Sequence, residues 1–219
     1  TGEWRWQYRR DPPADFSLAG ESRPTVAGDR VFVGFSDGVL AALALGDGAV
    51  LWTRDLAPEH ERFQDVDTTP VVERGRVYAA SAAAGLYALD AESGDVMWQR
   101  PGAGIVELTG VDGDLLASVD RGELVRIDTH NGTARWRVRF PGTSGTPGSV
   151  AQHGNLAIVG LSRGGLYWID LPTGRPIRRF TPGSGLIGAP AVGSDGSLFV
   201  LSNGGVFYAF RPPPATEGA

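Results

Sequence analysis

The sequence predicts an all-β protein, a β-propeller of four-stranded antiparallel blades, most simply five of them. Three observations point there. A Gly followed four residues later by Trp recurs at Gly2/Trp6, Gly48/Trp52, Gly94/Trp98 and Gly132/Trp136, and again at Gly174 with Arg178 in the tryptophan's place. The tryptophan positions are 46, 46, 38 and 42 residues apart, a period that suits a propeller blade and is too long for ankyrin or leucine-rich repeats. Between these positions the apolar residues alternate with period two, and 32 Gly and 15 Pro punctuate the 219 residues, as short strands joined by tight turns require.

Each repeat subdivides alike. In the second, strands are expected near Thr69 to Glu73, Arg76 to Ser81, Leu86 to Leu89 and through Trp98, with turns at Gly75, Gly85 and Asp90 to Gly94. An Asp ahead of a Gly suits that last turn, because the carboxylate accepts backbone N–H bonds and the Gly takes positive φ. The same meander runs through "PTVAGDRVFVGFSDGVLAALALGDGAVLW", "GVDGDLLASVDRGELVRIDTHNGTARW" and "GSVAQHGNLAIVGLSRGGLYWIDLPTGRPIR". A fifth, "GAPAVGSDGSLFVLSNGGVFYAF", has three strands and then "RPPP", where successive prolines forbid a continuing ladder.

The opening "TGEWRWQYRR" is a last strand with no inner strands before it. Residues 1–8 are therefore expected to pair with Val206 to Phe210, closing the last blade and removing an open seam. On that reading residues 1–211 form a single domain and 212–219 a Pro-rich tail.

"ALDAESGDVMW" (Ala88, Asp90, Gly94, Trp98) matches the A-x-D-x-x-x-G-x-x-x-W docking motif of PQQ-like repeats, so the chain resembles the quinoprotein-type β-propeller superfamily. Asp128, Gly132 and Trp136 keep the motif, as do Asp170 and Gly174; the first repeat keeps Gly48 and Trp52, and the opening keeps Gly2 and Trp6. The cysteine-free, short chain is similar to the lipoproteins of the outer-membrane β-barrel assembly machinery, the BamB-like group, from whose eight blades its five depart. That resemblance implies a non-catalytic scaffold that binds protein, periplasmic or outer-membrane associated, with a lipid anchor upstream of Thr1. No catalytic, metal or cofactor residue transfers from the quinoprotein dehydrogenases, whose site uses calcium, acidic and amide ligands, a stacking Trp and often paired cysteines. The competing readings are a propeller binding PQQ, calcium or another small ligand, a propeller-fold enzyme, and the ectodomain of a larger sensor.

Charge and composition exclude other classes. A formal charge of −5 without runs of one sign gives no footprint for nucleic acid, and no apolar stretch reaches membrane-helix length. With no cysteine there is no disulfide or thiol nucleophile. The G-x-G-x-x-G at Gly183, Gly185 and Gly188 runs into another strand rather than a helix, "GTSG" around Ser144 lacks the spacing of a nucleophile elbow, and His60, His130 and His153 fall in separate repeats. Asn131-Gly-Thr133 is a sequon set in a tight turn.

Two connections exceed the repeat template, and longer loops more often carry function. Phe16, Glu61, Arg62, Phe63, Asp65 and Asp67 are the candidate protein-binding residues there. Arg135, Arg137 and Arg139 alternate along one outer strand and are either edge protection or a partner-binding rim. Arg178, flanked by Arg175 and Arg179, joins that rim, and with no tryptophan at its place it is expected to stack on a neighbouring aromatic.

Overall fold

A computed structural model describes residues 2–10, 22–56, 65–66, 68–81, 84–102, 104–186 and 188–211. The strands fall into five antiparallel sheets in chain order. The first comprises β1 (Thr25–Ala27), β2 (Arg30–Gly34), β3 (Val39–Ala44) and β4 (Val50–Asp55); the second β5 (Val71–Glu73), β6 (Arg76–Ser81), β7 (Gly85–Asp90) and β8 (Val96–Arg100). The third holds β9 (Ile105–Val111), β10 (Asp114–Val119), β11 (Glu123–Asp128) and β12 (Ala134–Arg139). The fourth holds β13 (Pro147–His153), β14 (Leu156–Leu161), β15 (Leu166–Asp170) and β16 (Pro176–Phe180), and the fifth β17 (Ala191–Val192), β18 (Leu198–Leu201) and β19 (Phe207–Phe210). Two compact units emerge, residues 1–117 with 127–135, and residues 118–126 with 136–219.

Burial explains the composition of each strand. Middle strands such as β3 and β10 are buried almost throughout, whereas β4 and β12 alternate exposed and half-buried residues. A strand covered on both faces reads as a continuous apolar run, and one with a solvated face alternates. Within the first unit, Phe32, Leu40 and Ala42 pack against Val77, Ala79 and Leu89 of the second sheet, with Leu56 and Val66 closing the cluster. Within the second unit, Ile158, Leu166 and Trp168 pack against Leu198 and Val200 of the fifth sheet.

Four tryptophans lock sheets in a repeated geometry. The indole Nε1 of Trp6 donates to the Leu45 carbonyl at 3.1 Å, Trp52 to Ala91 at 3.2 Å, Trp98 to Thr129 at 3.2 Å and Trp136 to Leu171 at 2.8 Å. Each ring lies on the glycine of the receiving turn: a Cβ added at Gly48, Gly94, Gly132 or Gly174 would sit within 2.9 Å of the corresponding Trp6, Trp52, Trp98 or Trp136 ring. Those four glycines also have φ between +71° and +75°, so close approach and backbone conformation both require glycine. A bulge recurs beside the docking position. Ala42 pairs with Trp52 but Leu43 with Val50, Ala88 with Trp98 but Leu89 with Val96, and Trp168 with Arg178 but Ile169 with Pro176. The extra residue bends the outer strand there.

The expected closing strand would join residues of the two units, and each unit is described by itself. Among the described residues the fifth sheet has three strands, and residues 2–10 lie in no strand. The interactions that hold this segment need no ladder: Trp6 docks on the first sheet's turn, Arg10 Nε reaches Asp37 Oδ2 at 2.6 Å, and Tyr8 meets Phe35 edge-on at 5.7 Å. Side-chain docking alone satisfies the Trp6 half of the motif.

The glycine requirement can be tested by a matched pair. Gly94→Ala forces a Cβ to 2.6 Å from Trp52 at φ +75°, and should cost about 2–5 kcal/mol from left-handed strain and overpacking together. Gly28→Ala has φ +60° and nothing within 4 Å, so it should cost only about 1–2 kcal/mol. Urea unfolding of both variants checks this; equal losses would mean the ring contact contributes nothing.

Candidate interaction surface

The docking turns are built by their own side chains. Asp90 Oδ1 accepts the backbone N–H groups of Glu92 at 2.9 Å and Ser93 at 2.8 Å, Asp128 Oδ1 accepts that of His130 at 2.7 Å, and Asp170 Oδ2 that of Thr173 at 3.0 Å. These bonds, from Ser93 first, hold the Asp90 carboxyl below its ordinary range. In each turn the glycine N–H returns to the aspartate carbonyl: Gly94 to Asp90 at 2.9 Å, Gly132 to Asp128 and Gly174 to Asp170 at 2.8 Å.

The carbonyl that receives the indole also receives an arginine, a device the sequence reading missed. Ala91 O accepts Arg30 Nη1 at 3.0 Å, Thr129 O accepts Arg76 Nη1 at 2.9 Å and Leu171 O accepts Arg126 Nη1 at 2.7 Å. A carbonyl has two lone pairs, and here Trp and Arg share it, joined at Thr129 by the Tyr78 hydroxyl at 3.3 Å. The signal was present in part: Arg30 and Arg76 each open the second strand of their sheets. The third sheet has Asp114 at that place and takes its arginine from β11, a substitution that the spacing could not reveal.

Asp114 gives the arginine row of β12 its explanation. Arg135 Nε lies 2.8 Å from Asp114 Oδ2 and its Nη2 lies 2.8 Å from Asp128 Oδ2. On the same strand Arg137 Nη1 reaches Glu123 Oε2 at 3.1 Å, and Arg139 Nε reaches Glu123 Oε1 at 2.9 Å. Asp114 is 4% exposed and Glu123 6%, so the row brings guanidinium charge to two buried carboxylates, which burial would otherwise penalise. The alternation seen in the sequence is real, but its arginines already have partners.

The other candidate residues separate. Asp65 is 1% exposed, which withdraws it from a surface contact. Phe16, Glu61, Arg62, Phe63 and Asp67 lie outside the described residues. Arg178 stacks on Trp168, its guanidinium carbon 5.0 Å from the ring centre, and Arg179 lies 5.4 Å from Tyr167. Gly183 to Gly188 opens no helix among the described residues. Ser144 is buried in a short 3₁₀ turn, Gly142–Ser144. Among the described residues no three His, Asp or Glu side chains gather into a metal-holding group, and no helix is long and apolar enough to cross a membrane.

Four-stranded sheets joined by tryptophans that dock on Asp-to-Gly turns define a β-propeller protein of the PQQ-like repeat class. The family model described as outer membrane protein assembly factor BamB matches residues 1–138 and 120–213, and the chain belongs to that family. It is 32% identical over 216 residues to the outer membrane protein assembly factor BamB of Yersinia pestis, covering 95% of this chain and 54% of that protein. It is 34% identical over 199 residues to that of Escherichia coli K12, covering 88% of this chain and 50% of the other. The crystal structure of BamB from Moraxella catarrhalis superposes with a TM-score of 0.78 at 25% identity, over 94% of this chain and 62% of that one. The chain thus spans about half the length of the curated relatives it matches.

The Glu123 clamp makes stability depend on acid. Hydrogen bonding from Arg139 first, with the charges of Arg139 and Arg137, lowers the Glu123 carboxyl below its ordinary range. Because the folded value lies below that of the unfolded chain, the clamp stabilises the fold above about pH 4.3, the unfolded carboxylate value, and loses that contribution as pH falls through the folded value. Glu123→Gln should cost about 1.5 kcal/mol near neutral pH, the low end for charge-assisted bonds because the arginine heads are solvated. The difference from the parent should shrink and vanish as pH falls through the folded value. Urea midpoints for both proteins across that range check it; a constant difference would deny the titration.

Proposed function

We propose that this chain is part of a non-catalytic, protein-binding scaffold that serves outer-membrane protein assembly, in the periplasm and associated with the outer membrane. The observation that carries this is the family match along residues 1–138 and 120–213, and the names of the relatives supply the process. The use of the aromatic and charged residues supports it. The tryptophans join sheets, the aspartates shape turns, and the β12 arginines neutralise carboxylates of the same sheet. Each of these roles is structural, which leaves the long connections as the place for a partner. Phe16 and Phe63, with Glu61, Arg62 and Asp67, are the contact residues of this reading. Arg135, Arg137 and Arg139 contribute by holding the third sheet together.

A tagged chain directed to the periplasm and crosslinked there should recover components of the outer-membrane assembly machinery. Phe16→Ala combined with Phe63→Ala should lower that recovery severalfold without a change in melting temperature. Recovery no greater than that given by an unrelated propeller of equal size would overturn the reading.

A further inference from the structure

At the fifth docking position the repeat changes on both sides. Arg178 stands where three sheets have Trp52, Trp98 and Trp136 and the opening segment has Trp6, and it stacks back on Trp168 of its own sheet, its partner in the ladder. Aligning Ala88-Leu89-Asp90 with Ala209-Phe210-Arg211 puts Arg211 where three other turns have Asp90, Asp128 and Asp170 and the first has Ala44, and Pro212, Pro213 and Pro214 follow. The indole and the turn that would receive it have been exchanged together.

A pocket of about 60 Å³ stands beside them. Trp168, Leu198 and Phe210 form its apolar part, with Phe210 edge-on to Trp168 at 5.5 Å, while Arg178, Arg211 and His153 supply its polar lining. That is room for about four to six water centres, which suits one aromatic or long aliphatic side chain and falls well below the ~300–1,000 Å³ of a small-molecule site. The neighbouring carboxylates are engaged in their own turns. Asp195 accepts the Ser197 N–H at 2.9 Å and its hydroxyl at 2.8 Å, and Asp170 accepts the Thr173 N–H at 3.0 Å. The pocket therefore joins an aromatic floor to an excess of positive charge.

We propose that this pocket docks an extended segment of a partner protein, with an aromatic side chain seated against Trp168 and Phe210 and an adjacent Asp or Glu paired with Arg178 and Arg211. The chemistry follows from the repeat and from charge complementarity. At the other docking positions an indole is the group received, and the two arginines peculiar to this position add a carboxylate partner. Guanidinium groups bind carboxylates through paired hydrogen bonds, and aromatic rings favour the edge-on and offset contacts that this floor presents. A second copy is the competing occupant, because Glu3-Trp4 has the required chemistry and Trp4 is 78% exposed. This docking goes beyond the assembly reading and is measured on the purified chain without any assembly component.

The probe is a fluorescein-labelled peptide, acetyl-Gly-Ser-Glu-Trp-Ser-Gly-amide, followed by anisotropy. Binding should weaken about tenfold or more, roughly 1.4 kcal/mol, when the peptide's Glu becomes Arg or its Trp becomes Ala, and when Arg178→Glu or Arg211→Glu is made in the protein. It should also weaken as salt rises from about 0.1 to about 1 M. Arg211 follows the last described strand, so R211E changes the rim charge without touching the core, and an unchanged melting temperature confirms the fold. Equal binding of the three peptides, or full affinity in R211E, overturns the proposal. So does a concentration-dependent dimer in sedimentation that Trp4→Ala abolishes, since that would assign the pocket to a second copy.

Discussion

An indole lying flat on a glycine is the interaction on which the rest of this structure depends. A four-stranded meander buries its middle strands only if another sheet covers each face. The Trp docks supply that cover at one repeated point, where the ring excludes any side chain from the receiving turn and its N–H fixes the angle of approach through a backbone carbonyl. A buried carbonyl left with an unused lone pair is less costly than an orphaned donor, yet at Ala91, Thr129 and Leu171 the second position is taken by an arginine. Turn, glycine, indole and guanidinium therefore form one unit, and a change in any of them is felt by the others.

The charged residues serve the same end. An unpaired carboxylate at the burial of Glu123 would shift toward its neutral form, since desolvation penalises charge. The β12 arginines prevent this while their own heads remain solvated, with side chains 50%, 58% and 75% exposed at Arg135, Arg137 and Arg139. An outer strand that bears guanidinium groups also discourages further strand addition. One row thus satisfies inner carboxylates and protects an edge.

The exception at Arg178 follows the same logic. Replacing an indole by a guanidinium removes the group that would reach forward, and stacking on Trp168 turns the side chain back onto its own sheet. What was a lock between sheets becomes a notch with an aromatic floor and a cationic lining. Repeat proteins are convenient to read in this respect, because a departure at one position is measured against the same position elsewhere in the chain.

The sequence by itself determined the all-β class, the four-stranded unit and the docking positions, because period-two alternation and the Gly-to-Trp spacing are local properties of the chain. It placed β6 at Arg76–Ser81 and the turn aspartates at Asp90, Asp128 and Asp170, where short-range hydrogen bonds decide conformation. Tertiary structure decided the rest. The bulges beside Trp52 and Trp98, the sharing of one carbonyl by Trp and Arg, and the burial of Asp65 depend on residues brought together from distant positions. The partners of Arg135, Arg137 and Arg139 were hidden for the same reason, since Asp114 and Glu123 lie on other strands and only the ladder sets them side by side. The docking of Trp6, Arg10 and Tyr8 on the first sheet likewise joins residues that stand far apart in the chain. A repeat pattern records which side chains are meant to meet a neighbour, and only packing decides which neighbour they meet.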